Sequence, residues 1–115
     1  DGFVFAVTPF NFTSIAGNLP TAPALVGNTV IWKAATTSAL SAFYLYQLLE
    51  AAGLPPGVIN FLCGDGADVG PNVLARPELG GIHFTGSTPV FNGMWRTVAE
   101  TIFEAVLRCL HHPLP

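Results

Sequence analysis

A glycine turn between two patterned runs, Phe84–Thr88 (FTGST), is the strongest chemical signal in the sequence. It follows a short apolar run and opens a long run with helical periodicity, so it predicts a strand, a tight turn and a helix start. Such a junction presents free backbone N–H groups and the positive end of a helix dipole, which suits a phosphate group. The Ser87 hydroxyl can bond a phosphate oxygen and can also cap the helix.

Two polar residues follow predicted strands upstream of this turn. Asn11 comes shortly after the first strand, and a fixed carboxamide N–H is a donor for an oxyanion that develops on a carbonyl. The alternative is that Asn11 only caps the next helix. Lys33 ends an apolar run, and its ammonium can reach ribose hydroxyls or phosphate. The alternative there is an ordinary lysine whose stem packs on apolar surface while its charge stays in water.

A second glycine-rich segment, Gly64–Gly66 (GDG) with Gly70 four residues on, would let the backbone approach a ligand closely. Its spacing differs from the dinucleotide fingerprint G-x-G-x-x-G, because the last gap is one residue longer. The same glycines also suit a strand-to-helix turn that needs positive φ.

The cysteines and histidines indicate neither a nucleophile nor a metal site. Cys63 follows a predicted buried strand and has no basic neighbour in sequence to activate it. Cys109, His111 and His112 offer three metal ligands without a fourth, so no metal site is expected. His83 is predicted to be a packed core residue rather than a base. Two cysteines give no disulfide framework, which favours a reducing compartment.

Composition indicates that much of the surface faces other protein. Of the 115 residues, 50% are hydrophobic and only 10% charged, against about 25% charged in a typical soluble domain. A net charge of −3 without a basic run argues against nucleic acid as a partner. The segment from Gly2 to Trp32 has no charge, but prolines and glycines interrupt it, so no membrane span is predicted.

Short apolar runs alternate with longer periodic runs four times, which predicts an α/β fold with a doubly wound parallel sheet and helices on both faces. Ligands of such sheets bind outside the carboxyl ends of the strands, where all the motifs above lie. The second helix is expected to be capped by Thr36 or Thr37, and Pro20 and Pro23 to kink or limit the first. The predicted strands are Phe3–Val7, Thr29–Trp32, Val58–Leu62 and Gly81–Phe84, and the predicted helices are Thr13–Val26, Thr37–Ala52, Ala67–Ala75 and Thr88–Leu110.

These motifs together resemble the aldehyde dehydrogenase superfamily over roughly residues 1–100, most of a Rossmann-like NAD-binding core. Five segments occur in the family's order and spacing: Thr8–Phe12 (TPFNF), Lys33, Gly53–Asn60 (GLPPGVIN), Gly64–Gly66 and Phe84–Thr88. The run Phe91–Trp95 (FNGMW) is most similar to the 1-pyrroline-5-carboxylate dehydrogenase subgroup. The chain departs from the family at Ala34 and Cys63, where proline is common, and at Thr36, where some relatives have a carboxylate for the ribose.

The resemblance implies NAD as the cofactor and a role for seven residues. Asn11 would stabilise the oxyanion of the tetrahedral intermediate, and Lys33 would bind the adenosine ribose. Gly66 and Gly70 would line the adenine side of the NAD site. Gly86 and Ser87 would lie by the pyrophosphate, and Phe10 would contribute backbone to the site.

The implied reaction is the NAD-dependent oxidation of L-glutamate γ-semialdehyde to glutamate in proline catabolism. In the family a cysteine thiolate attacks the aldehyde, hydride passes to the nicotinamide, and a glutamate-activated water releases the acid. Neither cysteine matches the nucleophile's context, and neither Glu100 nor Glu104 matches the base. We therefore expect residues 1–100 to be a fragment of the NAD-binding domain, residues 101–115 to be a divergent tail that continues or ends the last helix, and the chain alone to be inactive.

By the same resemblance, the full-length enzyme would act on a small-molecule aldehyde, form homo-oligomers, and reside in the cytoplasm if bacterial or the mitochondrial matrix if eukaryotic. Neither nucleic acid nor membrane is an expected partner. An alternative function is a non-catalytic nucleotide-binding or interaction module. An unrelated flavodoxin-like or phosphate-binding domain is a third possibility, which would require the motif match to be chance.

Overall fold

The computed structural model describes the backbone of residues 2–111 and the side chains of residues 2–102. Strand and helix alternate four times along this part of the chain. The elements in order are β1 (Phe3–Thr8), α1 (Thr13–Leu25), β2 (Thr29–Ala34), α2 (Ala39–Ala51), β3 (Ile59–Leu62), α3 (Gly66–Leu74), β4 (Leu79–Phe84) and α4 (Thr88–His111). The predicted α/β fold is confirmed, and the predicted element boundaries differ from these by at most two residues.

The four strands form one sheet in the order β3-β2-β1-β4, and every pair is parallel. The chain builds outward from β1 through β2 to β3, then crosses back to place β4 on the other side of β1. This reversal puts α1 and α2 on one face of the sheet and α3 and α4 on the other, as the prediction of a doubly wound sheet requires. Ligand sites of such folds lie at the carboxyl ends of the strands where the order reverses, here at β1 and β4.

Side chains along the strands alternate between the two faces. The α1/α2 face holds the larger buried cluster, which includes Ala6, Val30, Trp32 and Ile59. The α3/α4 face holds a smaller one built on Phe5. Trp32 has no exposed surface, and the Phe61 ring packs edge-on against it at 5.1 Å. The core therefore sits mainly between β1, β2 and the first two helices.

Helix α1 continues through both of its prolines and ends at Leu25. A proline within a helix leaves the carbonyl four residues earlier without its helical donor. The two affected carbonyls are those of Ala16, through Pro20, and of Leu19, through Pro23. Neither proline limits the helix as strictly as the sequence suggests.

Helix α2 begins differently from the prediction. A short 3-10 turn, Thr36–Ser38, precedes it, and Ser38 stands at the N-cap without a side-chain hydrogen bond to the helix. The prediction that Thr36 or Thr37 caps this helix is therefore wrong, because the chain enters it through the tighter turn instead.

The apolar stripes of α2 and α4 are only partly covered. On α2, Leu40, Tyr44 and Leu48 are each more than 60% exposed, and on α4 Trp95 is 66% exposed. Met94 on the same helix is buried, and the side chains of Phe103 and Val106 lie outside the described residues. The helical periodicity predicted the helices correctly, but it did not show which side of each helix meets the sheet.

His83 lies on β4, the edge strand next to β1, and its side chain is exposed. The prediction that it is a packed core residue is wrong, because β4 has a neighbouring strand on one side only. Its Nδ1 lies 3.0 Å from the backbone carbonyl oxygen of Leu19 in α1. No described helix is long and apolar enough to span a membrane.

Candidate functional site

A groove of about 490 Å³ opens at the carboxyl ends of β1, β2 and β4. Its size falls within the range of small-molecule sites. The residues predicted from the sequence to bind or to act on a ligand all line it: Phe10, Asn11, Lys33, Gly66, Gly70, Gly86 and Ser87. The structure thus brings together residues that are up to 77 positions apart in the chain (87 − 10). Their roles stay a prediction.

Lys33 is the central feature of this groove. It is the chain's only lysine, and it follows Trp32 on β2, so it points to the opposite face of the sheet, toward α3. Only 8% of its surface is exposed, and a Cβ built on Gly66 would lie 3.6 Å from its Nζ. Among the described residues that line the groove none is acidic. A buried cation without a carboxylate partner in the groove suits an anionic or hydroxyl-rich ligand.

The turn after β4 presents backbone donors to the groove. The Thr85 N–H donates to the Val7 carbonyl at 3.1 Å and so extends the β1–β4 pairing. The Ser87 carbonyl accepts the Phe91 N–H at 3.1 Å, which is the first bond of α4. Between them the N–H groups of Gly86 and Ser87 have no acceptor among the described backbone carbonyls. Free donors at the start of a long helix suit a phosphate.

Gly86 also has a packing constraint of its own. A Cβ at this position would lie 2.7 Å from the Phe84 ring, which forms part of the groove wall. A side chain here would force that ring to move, so glycine keeps the wall in place.

Asn11 does not cap α1. The N-cap is Phe12, no side chain caps the helix, and both Asn11 and Phe10 are exposed where they line the groove. The capping alternative considered for Asn11 is thus wrong. Its carboxamide remains available as a donor at the groove's edge.

The glycine segment before α3 combines two functions. Gly64 has φ of +155°, a backbone conformation that side chains disfavour, so the strand-to-helix turn does require glycine there. The Asp65 carboxylate accepts the Ala67 N–H at 2.8 Å and caps α3. Gly66 and Gly70 have no positive φ, and a Cβ at Gly70 would meet nothing within 4 Å. These two glycines therefore leave open space beside the groove rather than shape a turn.

One buried pair beside the groove carries no role in the sequence analysis. The Trp32 Nε1–H donates to the Thr8 hydroxyl at 3.0 Å, and Thr8 is 2% exposed. The Ala35 N–H also donates to the Thr8 carbonyl at 3.2 Å. These two hydrogen bonds join the end of β1, which leads to Asn11, to the end of β2, which carries Lys33. A buried indole needs an acceptor, which is the signal that could have pointed to Thr8.

No cysteine lines the groove among the described residues, and Cys63 is exposed at the end of β3. No group of three metal-ligating side chains occurs in the described range. The side chains of Cys109 and His111, and all of His112, lie outside the described residues. A second groove, of about 510 Å³, runs between β4 and α4, but its lining is apolar except for Arg76 and Thr101. It lacks the converging donors of the first groove.

Comparison with known proteins matches this chain to part of a larger enzyme. Over 108 residues it is 48% identical to the probable delta-1-pyrroline-5-carboxylate dehydrogenase of Schizosaccharomyces pombe, covering 94% of this chain and 20% of that protein. It is 48% identical to the mitochondrial delta-1-pyrroline-5-carboxylate dehydrogenase of Homo sapiens over 102 residues, covering 89% of this chain and 18% of that protein. The chain thus spans about a fifth of the length of these relatives.

A solved structure shares both sequence and fold with the chain. The crystal structure of the Delta-pyrroline-5-carboxylate dehydrogenase from Mycobacterium tuberculosis bound with NAD superposes with a TM-score of 0.86 at 66% identity, covering 89% of this chain and 19% of that one. The sequence model of the aldehyde dehydrogenase family matches residues 1–109. The resemblance inferred from the motifs is confirmed, and the chain belongs to the aldehyde dehydrogenase family.

Proposed function

We propose that this chain forms the NAD-binding part of an aldehyde dehydrogenase that oxidises L-glutamate γ-semialdehyde to glutamate in proline catabolism. The observation that carries the proposal is the groove at the carboxyl ends of β1, β2 and β4, which gathers all seven predicted site residues around a nine-tenths buried lysine. The relatives are delta-1-pyrroline-5-carboxylate dehydrogenases, and one of them is described bound with NAD.

The donor set fits a dinucleotide. Lys33 offers the groove a cation that no acidic groove residue neutralises, which suits the adenosine ribose hydroxyls and nearby phosphate. The free N–H groups of Gly86 and Ser87 suit the pyrophosphate. Gly66 and Gly70 leave the adenine side without side chains, and Phe10 contributes backbone.

When bound, NAD supplies a hydride acceptor. The chain's own contribution is to hold and orient the dinucleotide, and to place the Asn11 carboxamide where it donates to the oxygen of the aldehyde as charge develops on it. The groove contains no described cysteine or acidic side chain, so the nucleophile and the water-activating base must come from elsewhere in an active enzyme. We therefore expect the chain alone to bind NAD and to turn over no aldehyde.

Titration calorimetry of the chain with NAD tests this proposal. Lys33→Met removes the ammonium but keeps a similar stem, and we expect NAD affinity to fall by about tenfold or more. Arg96→Met is the matched control, since it also removes one positive charge but lies on α4 outside the groove. Absence of heat with the folded wild-type chain, or equal losses in both variants, would contradict the proposal.

Amine labelling gives a second, independent measurement. Because Lys33 is the chain's only lysine, a lysine-directed reagent followed by mass spectrometry reports on this one ε-amine. NAD should slow the labelling of Lys33 while the exposed Cys63 reacts with a thiol reagent at an unchanged rate. Unprotected Lys33 at saturating NAD would show that the dinucleotide does not occupy the groove.

The second candidate is a non-catalytic nucleotide-binding or interaction module, favoured by the exposed apolar residues of α2 and α4. It predicts the same NAD binding, so aldehyde turnover separates the two. Joining the chain to the remaining segments of a relative should restore NADH formation from glutamate γ-semialdehyde if it is an enzyme part. A well-folded hybrid with no turnover would favour the module.

Compartment and assembly remain proposals. Relatives from Mus musculus and Homo sapiens are named as mitochondrial, and we expect the mitochondrial matrix for a eukaryotic source and the cytoplasm for a bacterial one. We also expect the whole enzyme to form homo-oligomers.

A further inference from the structure

A proline in α1 removes the helical i+4 donor of a buried carbonyl. In an α-helix the N–H of residue 23 would donate to the carbonyl of residue 19, but Pro23 has no N–H. Leu19 is 4% exposed and packs in the core cluster of the α1/α2 face. A buried carbonyl without a donor is unfavourable, so a donor from outside the helix would stabilise this position.

His83 is that donor. Its Nδ1 lies 3.0 Å from the Leu19 carbonyl oxygen across 64 residues of sequence. On β4, Ile82 and Phe84 pack on the α3/α4 face, which leaves His83 on the side of α1. A carbonyl oxygen only accepts hydrogen bonds, so Nδ1 must carry the proton. In the neutral side chain Nε2 is then the unprotonated nitrogen.

We infer that His83 is a positioning residue that locks α1 onto β4 through the Leu19 carbonyl and thereby fixes two walls of the groove relative to each other. Helix α1 begins two residues after Asn11, and Gly86 follows His83 by three residues. Strands β1 and β4 are already paired, so the added effect is to hold the helix that leads away from the Asn11 loop. The effect on NAD rests on the proposed function, whereas the hydrogen bond and its tautomer do not.

This role differs from acid–base catalysis in a way that can be measured. His83 lines neither groove, so it cannot touch a ligand there. Protonation of the ring leaves Nδ1–H in place, so the bond to Leu19 persists in both charge states. A general base would instead lose its function when the ring is protonated.

The first test is the tautomer itself, read from the imidazole ¹⁵N chemical shifts of the chain with the ring in its neutral form. The chain has three histidines, and the signal of His83 is assigned by its disappearance in His83→Asn. We expect a protonated Nδ1 and an unprotonated Nε2. The opposite tautomer would overturn the inference.

The second test is a double-mutant cycle between His83→Leu and Pro23→Ala. Pro23→Ala restores an N–H that can donate to Leu19 within the helix, so His83 becomes dispensable. His83→Leu alone should lower the melting temperature by about 4–8 °C, and by less than half as much in the Pro23→Ala background. Equal losses in the two backgrounds would contradict the inference.

His83→Asn keeps the measurement interpretable if His83→Leu does not fold. The Asn Nδ2 takes nearly the position of the His Nδ1 and can donate to the same carbonyl, so this variant should keep most of the wild-type melting temperature. A loss as large as that of His83→Leu would show that the hydrogen bond is not what matters.

NAD affinity supplies the functional measurement. We expect His83→Leu to weaken NAD binding about three- to tenfold and His83→Asn to restore it. Wild-type affinity in His83→Leu would overturn the effect on the groove. If the wild-type chain binds no NAD, the proposed function fails, while the tautomer and the double-mutant cycle still decide whether His83 locks α1.

Discussion

The two faces of the sheet are packed in opposite ways, although the same strands supply both. On the α1/α2 face Val30 and Trp32 are completely buried. On the α3/α4 face, β2 contributes Lys33, and two grooves of about 490 and 510 Å³ remain open. One face is filled with side chains, and the other leaves space for something else.

This difference indicates a division of labour along single strands. Consecutive residues of β2 point to opposite faces, so Trp32 stabilises the fold while its neighbour Lys33 serves the groove. Substitutions on the two faces should therefore separate stability from binding.

The largest effect is expected from Trp32→Ala on the filled face. Removing a fully buried indole should lower the free energy of unfolding by about 3–5 kcal/mol, measured by urea denaturation. Trp95→Ala is the matched control, since this indole is 66% exposed on α4, and it should change that free energy by no more than about 0.5 kcal/mol. Similar losses would mean that α4 packs as tightly as β2.

Thr8→Val is expected to have the next largest effect. The Thr8 side chain lines the groove and also bonds Trp32 on the filled face. The variant keeps the shape of the side chain but leaves the Trp32 Nε1–H buried without its acceptor, so the free energy of unfolding should fall by about 1–3 kcal/mol. Thr8→Ser keeps the hydroxyl and should lose less, mainly through its missing methyl group. If both variants denature at the same urea concentration, the hydrogen bond contributes nothing.

Gly70→Ala should weaken binding without a comparable loss of stability. Alanine is the better helix former, but Pro71 follows directly and disfavours a Cβ on the helical residue before it, so the free energy of unfolding should change by less than about 1 kcal/mol. The added methyl should weaken NAD binding, since Gly70 lines the groove. Gly93→Ala, in α4 with open surroundings and no following proline, should raise the free energy of unfolding by about 0.5–1 kcal/mol without changing the NAD affinity measured by calorimetry. Unchanged NAD affinity in both variants would show that Gly70 is not part of the NAD site.

The smallest expected effect is the pH dependence from Tyr46 on the filled face. A hydrogen bond to Glu50, then burial and the Glu50 charge, raise the pKa of the Tyr46 phenol above 10.0. Its stabilising contribution is complete below that value and is lost as the pH rises through the higher pKa of the folded state. Melting curves from pH 9 to 11 should show a smaller decline in Tyr46→Phe than in the wild type. A larger decline in Tyr46→Phe than in the wild type would show that Tyr46 does not stabilise the fold in this way.

The sheet and the groove were predictable because their signals are local. Short apolar strands, glycine turns such as that at Gly86, and the parallel alternation together place the motifs at one edge. The strand order β3-β2-β1-β4 was not specified, since only long-range packing decides where β4 pairs.

Burial was harder to predict, because it depends on neighbours that periodicity does not reveal. The periodic run predicts the helix α2, but Leu40 and Tyr44 on it are exposed. The apolar strand predicts that His83 is a core residue, yet β4 is an edge strand. Its contact with Leu19 depends on a proline 60 residues away (83 − 23), which no local pattern connects to it.

The position of the single lysine has a practical consequence. A protease that cuts only after lysine has one target in this chain, the Lys33–Ala34 bond, which lies in a strand paired on both sides. Cleavage therefore requires the middle of the sheet to separate. The rate of appearance of the two fragments would report how often the native chain opens at its centre.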